Sequence, residues 1–159
     1  MTPLTFNDAQ PILIVEDSPE DFEMAQRGLR KVGLANPIIH VTDGEQALNY
    51  LFQRGEFEDA SAAPRPGIVL LDLNLPGIDG RDVLDEIKAS PDLKMIPVII
   101  MTTSGDETDV VRCYKAGSNS YVRKPLDFNG FVDALRKLVD YWFTISLLPK
   151  RQNHQEVCR

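Results

Sequence analysis

Short aliphatic runs alternate five times with stretches of helical period, and no other feature of the sequence constrains the fold as strongly. The runs occupy residues 11–15 (PILIV), 38–41 (IIHV), 68–71 (IVLL), 97–101 (PVIIM) and 121–123 (YVR). The runs at 11–15, 68–71 and 97–101, apolar throughout and without polar alternation, suit a sheet buried on both faces. Strands that alternate with helices pair in parallel through right-handed crossovers. The pattern predicts an α/β fold: a five-stranded, doubly wound parallel sheet with helices on both faces. The run at 68–71 is wholly aliphatic and belongs at its centre.

The helical stretches carry their own start and stop signals. Ser18 is a cap, Pro19 fits the first turn, and Glu20 and Asp21 face the positive end of the helix dipole. Phe22, Ala25, Leu29 and Val32 then recur at helical spacing up to Gly33, where the helix ends. Ala47, Leu48 and Leu51 mark the second helix. Val83, Leu84 and Ile87 mark the third, over 80–89. The fourth covers 107–116 and closes at Gly117, and the fifth begins near Phe128. Residues 56–67 (EFEDASAAPRPG) form a surface loop.

A chain of 159 residues with 43% hydrophobic and 26% charged residues has enough apolar material for one globular core. Three segments are expected: an arm over 1–10, the domain over 11–140, and a helical extension with a polar tail over 141–159. A net charge of −7 argues against nucleic acid or an anionic membrane as partner. The N-terminus lacks a basic leader region, and no apolar run approaches the ~20 residues needed to span a bilayer. A cytoplasmic location is expected. Cys113 and Cys158 show no metal-like spacing and read as free thiols.

In sheets of this kind ligands bind beyond the carboxyl ends of the strands. Glu16 and Asp17 follow the first strand, Asp72 the third, Thr102 the fourth and Lys124, before Pro125, the fifth. Singly, each has a plain reading as a helix cap, a strand threonine or a solvated lysine. Together they place three carboxylates, a hydroxyl and an ammonium at one edge. Carboxylates so gathered repel one another unless a cation joins them, and a hard divalent ion such as Mg2+ is suited to that role. Asp72 would then serve as a nucleophile toward phosphorus, with Lys124 offsetting charge on the phosphoryl oxygens.

The segments ILIVEDSPED, LLDLNLPGIDG, PVIIMTTS and AGSNSYVRKP together resemble the receiver domain of two-component response regulators, over about residues 11–139. The resemblance implies the flavodoxin-like strand order 2-1-3-4-5, as in the chemotaxis regulator, and a Mg2+ (or Mn2+) cofactor. It implies Asp72 as phosphoacceptor, Glu16 and Asp17 as the acidic pair with Asp17 a direct metal ligand, and Asn74 lending its backbone carbonyl. Thr102 matches the switch hydroxyl, Tyr121 the switch aromatic and Lys124 the phosphoryl-binding lysine, with a cis peptide before Pro125. Glu16 stands where many members have Asp, which leaves direct and water-mediated contact with the metal both open. The implied switch draws Thr102 toward a phosphorylated Asp72, turns Tyr121 inward and alters the face formed by the fourth helix, fifth strand and fifth helix.

Beyond the usual end of such domains, the last helix is expected to run on through YWFTISLL to Pro149. Phe131, Leu135, Leu138, Trp142 and Ile145 form a stripe along it. Either Trp142 and Phe143 pack back onto the domain, or Leu138, Trp142, Phe143 and Ile145 meet a second copy or a kinase; the second reading is the expectation, since exposed aromatic patches rarely stay unpaired. The ending is similar to regulators paired with phytochrome-type histidine kinases, which implies such a kinase and a homodimer as partners. That dimer would form through the C-terminal helix or the face of the fourth helix, fifth strand and fifth helix.

Other functions fit less well. A haloacid-dehalogenase-type phosphatase needs a second Asp two residues after the nucleophile, and that position holds Asn74. A nucleotide or flavin module lacks its glycine-rich loop after the first strand. His40 and His154 do not mark a kinase, and a scaffold that has lost its chemistry would not retain every phosphorylation residue. No output domain is expected, so output would be protein contact, phosphoryl relay or phosphate drainage.

Overall fold

The computed structural model describes residues 10–146 and Leu148. Five parallel strands, β1 (Ile12–Val15), β2 (Ile38–Val41), β3 (Ile68–Leu71), β4 (Val98–Thr102) and β5 (Ser120–Arg123), form one sheet in the order β2-β1-β3-β4-β5. The helices are α1 (Pro19–Lys31), α2 (Gly44–Leu51), α3 (Gly80–Ala89), α4 (Glu107–Ala116) and α5 (Phe128–Val139). The flavodoxin-like order and the doubly wound architecture are therefore as expected. The loop after α2 contains a short 3-10 turn at Gly55–Phe57.

The strand period of two sorts the aliphatic residues between two cores. Leu13, Val15, Val69, Leu71, Val98 and Ile100 join residues of α2, α3 and α4 on one face. Ile12, Ile14, Ile68, Leu70, Ile99 and Met101 join α1 and α5 on the other. Each such side chain, fully buried, contributes roughly 1.5–3 kcal/mol. The helix starts follow local capping chemistry: Ser18, Asp43, Asp79, Asp106 and Asp127 each accept a backbone N–H of the first turn through the side chain. Among the described residues no helix is long and apolar enough to cross a membrane.

The C-terminal helix departs from expectation in two respects. α5 ends at Val139, a π-helical turn covers Asp140–Ile145, and Ser146 is extended. The turn closes with Ser146 N–H donating to the Tyr141 carbonyl at 2.7 Å. Pro149 disfavours helical backbone at the residue before it, so the helix has little chain left in which to continue. Trp142, expected in a partner contact, is instead only 9% exposed and sits in the α1–α5 core, with Leu138 packed against it. The stripe proves shorter than it looked, because Ile12 and Ile68 at the amino ends of their strands cover it as far as Trp142. Ile145 lies outside that cover at 71% exposure. The Phe143 side chain lies outside the described residues.

Candidate functional site

Parallel pairing brings all carboxyl ends of the strands to one edge, and the expected residues converge there. Glu16 and Asp72 are buried, Asp17 is exposed, and one carboxylate oxygen from each lies within 4.8 Å of the others. Asp72 is fixed from both sides: its N–H donates to the Val15 carbonyl at 3.1 Å, and its Oδ1 accepts the Asn74 N–H at 3.2 Å. Asn74 itself is exposed at the rim.

Lys124 ties the cluster together. Its Nζ donates to Glu16 Oε2 at 2.5 Å, Asp21 Oδ2 at 2.9 Å and Asp72 Oδ2 at 3.0 Å. Its backbone N–H donates to the Thr102 carbonyl at 2.7 Å, which anchors the end of β5 to β4. The Lys124–Pro125 peptide is trans, correcting the cis bond that the resemblance implied. Trans is the intrinsically preferred form of an X-Pro bond, by about 0.5–1 kcal/mol.

Close approach of α3 to this edge depends on Gly80. A Cβ there would stand 2.2 Å from the Asp72 carbonyl oxygen and 2.6 Å from Leu73 Cα. The Gly80 N–H donates to the Leu73 carbonyl at 3.0 Å.

The electrostatics show a site short of positive charge. Burial pushes the Glu16 carboxyl up to about 7, and the Asp72 charge adds to this against the opposing Lys124 hydrogen bond. Burial penalises the Lys124 ammonium, yet bonds from Glu16 and Asp21 and the charge of Asp72 outweigh it and hold its pKa above the ordinary value. Both directions favour additional positive charge among these groups. The donors are all oxygens, two of them sheltered and one open to water. That set fits a hard divalent cation that keeps part of its hydration shell.

The two residues expected to form a switch lie on neighbouring strands, Thr102 at the end of β4 and Tyr121 on β5. Thr102 is fully buried. The Tyr121 hydroxyl donates to the Ser104 carbonyl at 2.9 Å, and the Ser104 hydroxyl donates to Asp109 Oδ2 at 2.8 Å. Arg81 Nε donates to the other Asp109 oxygen at 2.8 Å and Arg81 Nη1 to Asp79 Oδ1 at 3.0 Å. Sequence reasoning missed this chain of contacts, and it read Asp21 only as a helix-start acid. The usable signal for Asp21 was its place in the first turn of α1, just after the acidic pair that follows β1.

A sequence model of the response regulator receiver domain matches residues 12–136. The chain belongs to that family, the phosphorylation-controlled receivers of two-component signalling. It is 40% identical to response regulator Rcp1 of Synechocystis sp. over 143 residues, 90% of this chain and 95% of the relative. The crystal structure of the Mn(2+)-bound form of Rcp1 superposes with a TM-score of 0.82, covering 88% of this chain and 99% of that one. The phosphorylated cyanobacterial phytochrome response regulator RcpA is 36% identical, with a TM-score of 0.83 over 89% of this chain and 99% of its own.

Proposed function

We propose that this receiver accepts a phosphoryl group on Asp72 from a histidine kinase, in a reaction that needs Mg2+ or Mn2+. Glu16, Asp17, Asp72 and the backbone carbonyl of Asn74 would hold the metal. The observation that carries this reading is Lys124 Nζ placed 3.0 Å from Asp72 Oδ2 inside a set of three carboxylates within 4.8 Å of one another. The fit of the oxygen donors to a divalent ion supports it, as does the likeness to Rcp1 with Mn2+ bound.

In the transfer, an Asp72 carboxylate oxygen attacks phosphorus while the P–N bond to the kinase histidine breaks. Asp72 gains the phosphoryl group and the imidazole leaves with the electron pair of that bond. Lys124 exchanges its contact with Asp72 Oδ2 for a phosphoryl oxygen, and the Thr102 hydroxyl donates to another. A divalent cation held by Glu16, Asp17, Asp72 and the Asn74 carbonyl would supply further positive charge against the phosphoryl oxygens. Asp21 and Glu16 keep the Lys124 ammonium at the site throughout.

Likeness to RcpA supports a phytochrome-type kinase as phosphodonor, which would act on the cytoplasmic side. Output is by protein contact, with a second copy of the chain as one partner. The exposed Val111 and Tyr114 on α4 and Tyr141 and Ile145 beyond α5 are surfaces for it. The test is incubation with acetyl phosphate and Mg2+, read by intact mass. A gain of about 80 Da, lost in Asp72→Asn and without metal, is expected. No gain under any condition overturns the proposal.

A further inference from the structure

His40 lies on β2 opposite Ile14, outside the acidic cluster, and the chemistry above makes no use of it. Its Nε2 is 2.8 Å from the backbone carbonyl oxygen of Glu16. A carbonyl only accepts, so Nε2 carries the hydrogen and donates it. The same ring lies flat on Phe22, with centroids 3.6 Å apart and planes 3° from parallel. Phe22 belongs to the first turn of α1, where its N–H donates to the Ser18 carbonyl at 3.0 Å.

His40 thus grips both ends of the segment from Glu16 to Phe22. That segment carries Glu16 and Asp17 of the cluster and Asp21, which holds Lys124. Its interior is braced by two further bonds, Ser18 N–H to Glu16 Oε1 at 3.1 Å and Asp21 N–H to Ser18 Oγ at 3.2 Å.

The peptide that His40 holds is a demanding one. In an extended strand, consecutive side chains point to opposite faces. Glu16 and Asp17 are consecutive, yet both bring an oxygen within 4.8 Å of Asp72. The backbone must therefore turn at the Glu16–Asp17 peptide. Pairing of β1 with β2 ends at Val15 and Val41, followed by a bond from Glu16 N–H to the Val41 carbonyl at 3.0 Å. The Glu16 carbonyl lies past that point, and His40 takes it. Fixing its direction fixes the plane of the peptide and with it the angle between the two acidic side chains.

We infer that His40 is a positioning residue for the metal acids: its Nε2–H orients the Glu16–Asp17 peptide, and its ring, through Phe22, sets α1 against that peptide. Packing alone does not call for histidine, since His40 and Phe22 are both only partly buried and a phenyl ring would stack as well. The donor is what a hydrocarbon could not supply. The inference rests on the reading that Glu16 and Asp17 serve a divalent ion.

The experiment uses the full chain as wild type, His40→Phe, His40→Gln and Phe22→Leu. Each is titrated with Mg2+ alone by calorimetry, its thermal midpoint is taken without metal, and the Asp17 amide resonance is recorded in metal-free protein. His40→Phe keeps a ring on Phe22 without the donor; its midpoint stays within a few degrees, its Mg2+ affinity falls on the order of tenfold, and its Asp17 amide shifts. His40→Gln keeps an N–H donor and gives up the stack, so it is less stable yet binds Mg2+ closer to wild type. Phe22→Leu leaves the donor in place and holds affinity to within about threefold. Mg2+ affinity in His40→Phe within about twofold of wild type overturns the inference, as do affinities in all three variants that follow only their midpoints. Wild-type protein that fails to bind Mg2+ overturns the reading of the site instead; an unmoved Asp17 amide in His40→Phe then decides against His40 on its own.

Discussion

Arg81 Nε and Asp109 Oδ1 meet at 2.8 Å, and their bond joins the first turn of α3 to the first turn of α4 across the edge where Asp72 and Thr102 emerge. Both side chains are about four-fifths buried, at 18% and 19% exposure. Asp109 also receives the Ser104 hydroxyl, and the Ser104 carbonyl accepts Tyr121, so the pair helps to hold the loop between β4 and α4. Arg81→Ala is expected to lower stability by about 1–3 kcal/mol, the range for charge-assisted bonds with limited solvent access. Amide exchange at Asp106, whose N–H is held by the Ser104 hydroxyl at 3.3 Å, should quicken in the same variant. A loss below about 0.5 kcal/mol with unaltered exchange would put the pair among surface bridges of little consequence.

The same pair sets a pH dependence. The Arg81 hydrogen bond, followed by that of Ser104, holds the Asp109 carboxyl below its ordinary value. A depressed carboxylate stabilises the fold above its unfolded pKa, about 3.9, and that contribution disappears as pH falls through the lower folded value. The stability gap between wild type and Asp109→Asn should be constant above about pH 5 and shrink below about pH 4. Urea midpoints of the two proteins across that range measure it; a gap that widens in acid contradicts the assignment.

The strands and the principal acids were legible because their signals are local. An aliphatic run ending in an acid says where a strand stops and what it delivers, and Glu16, Asp17, Asp72 and Lys124 were found that way. Long-range geometry left no such trace. Arg81 and Asp109 lie 28 residues apart, and nothing near either one names the other. The partnership of Asp21 with Lys124 was hidden because acids in a first helical turn already have a sufficient local reason to be there. The π-helical turn at Asp140–Ile145 escaped notice because an apolar stripe of helical period fits an uninterrupted α-helix equally well. The burial of Trp142 depends on how far the sheet extends beneath α5, a property of the assembled fold and not of any one segment.

Lys124 is the only cation bonded to the carboxylate cluster among the described residues, which makes its removal informative. Lys124→Met should cost about 3 kcal/mol in metal-free protein, because it strands buried carboxylates without a partner. Millimolar Mg2+ should restore part of that loss, since an ion bound only by the folded state stabilises it. Lys137→Met is the control: its pair with Asp133 is exposed at 77% and 54%, and its loss should change stability by less than about 0.5 kcal/mol. Equal midpoints for Lys124→Met with and without Mg2+ would argue against a cation site at these carboxylates.

Gly80→Ala tests how closely the fold and the site are joined. The added methyl would overlap the Asp72 carbonyl oxygen and Leu73 Cα, both backbone atoms that cannot move aside without carrying the Asp72 carboxylate with them. The expected cost is about 1–3 kcal/mol, as for overpacking elsewhere, accompanied by slower phosphoryl uptake from acetyl phosphate. Denaturation and mass-resolved uptake measure the two separately. Uptake at the wild-type rate would mean that α3 can withdraw without disturbing the end of β3.

Trp142 and Ile145 lie three residues apart on one turn and have opposite expectations. Trp142 fills the end of the α1–α5 core, so Trp142→Ala should cost about 3–5 kcal/mol, as for other large aromatic truncations. Ile145 is 71% exposed, and Ile145→Ser should change the stability of the monomer by less than about 0.5 kcal/mol. Denaturation at two protein concentrations a hundredfold apart separates the possible roles. If Trp142 serves its own domain, the loss it causes is the same at both concentrations. If it stabilises the fold through a second copy, the wild-type midpoint rises with concentration and the Trp142→Ala midpoint does not, because association adds stability only by mass action. A concentration dependence abolished by Ile145→Ser but kept by Trp142→Ala would locate the contact between copies on the outer side of the π-helical turn.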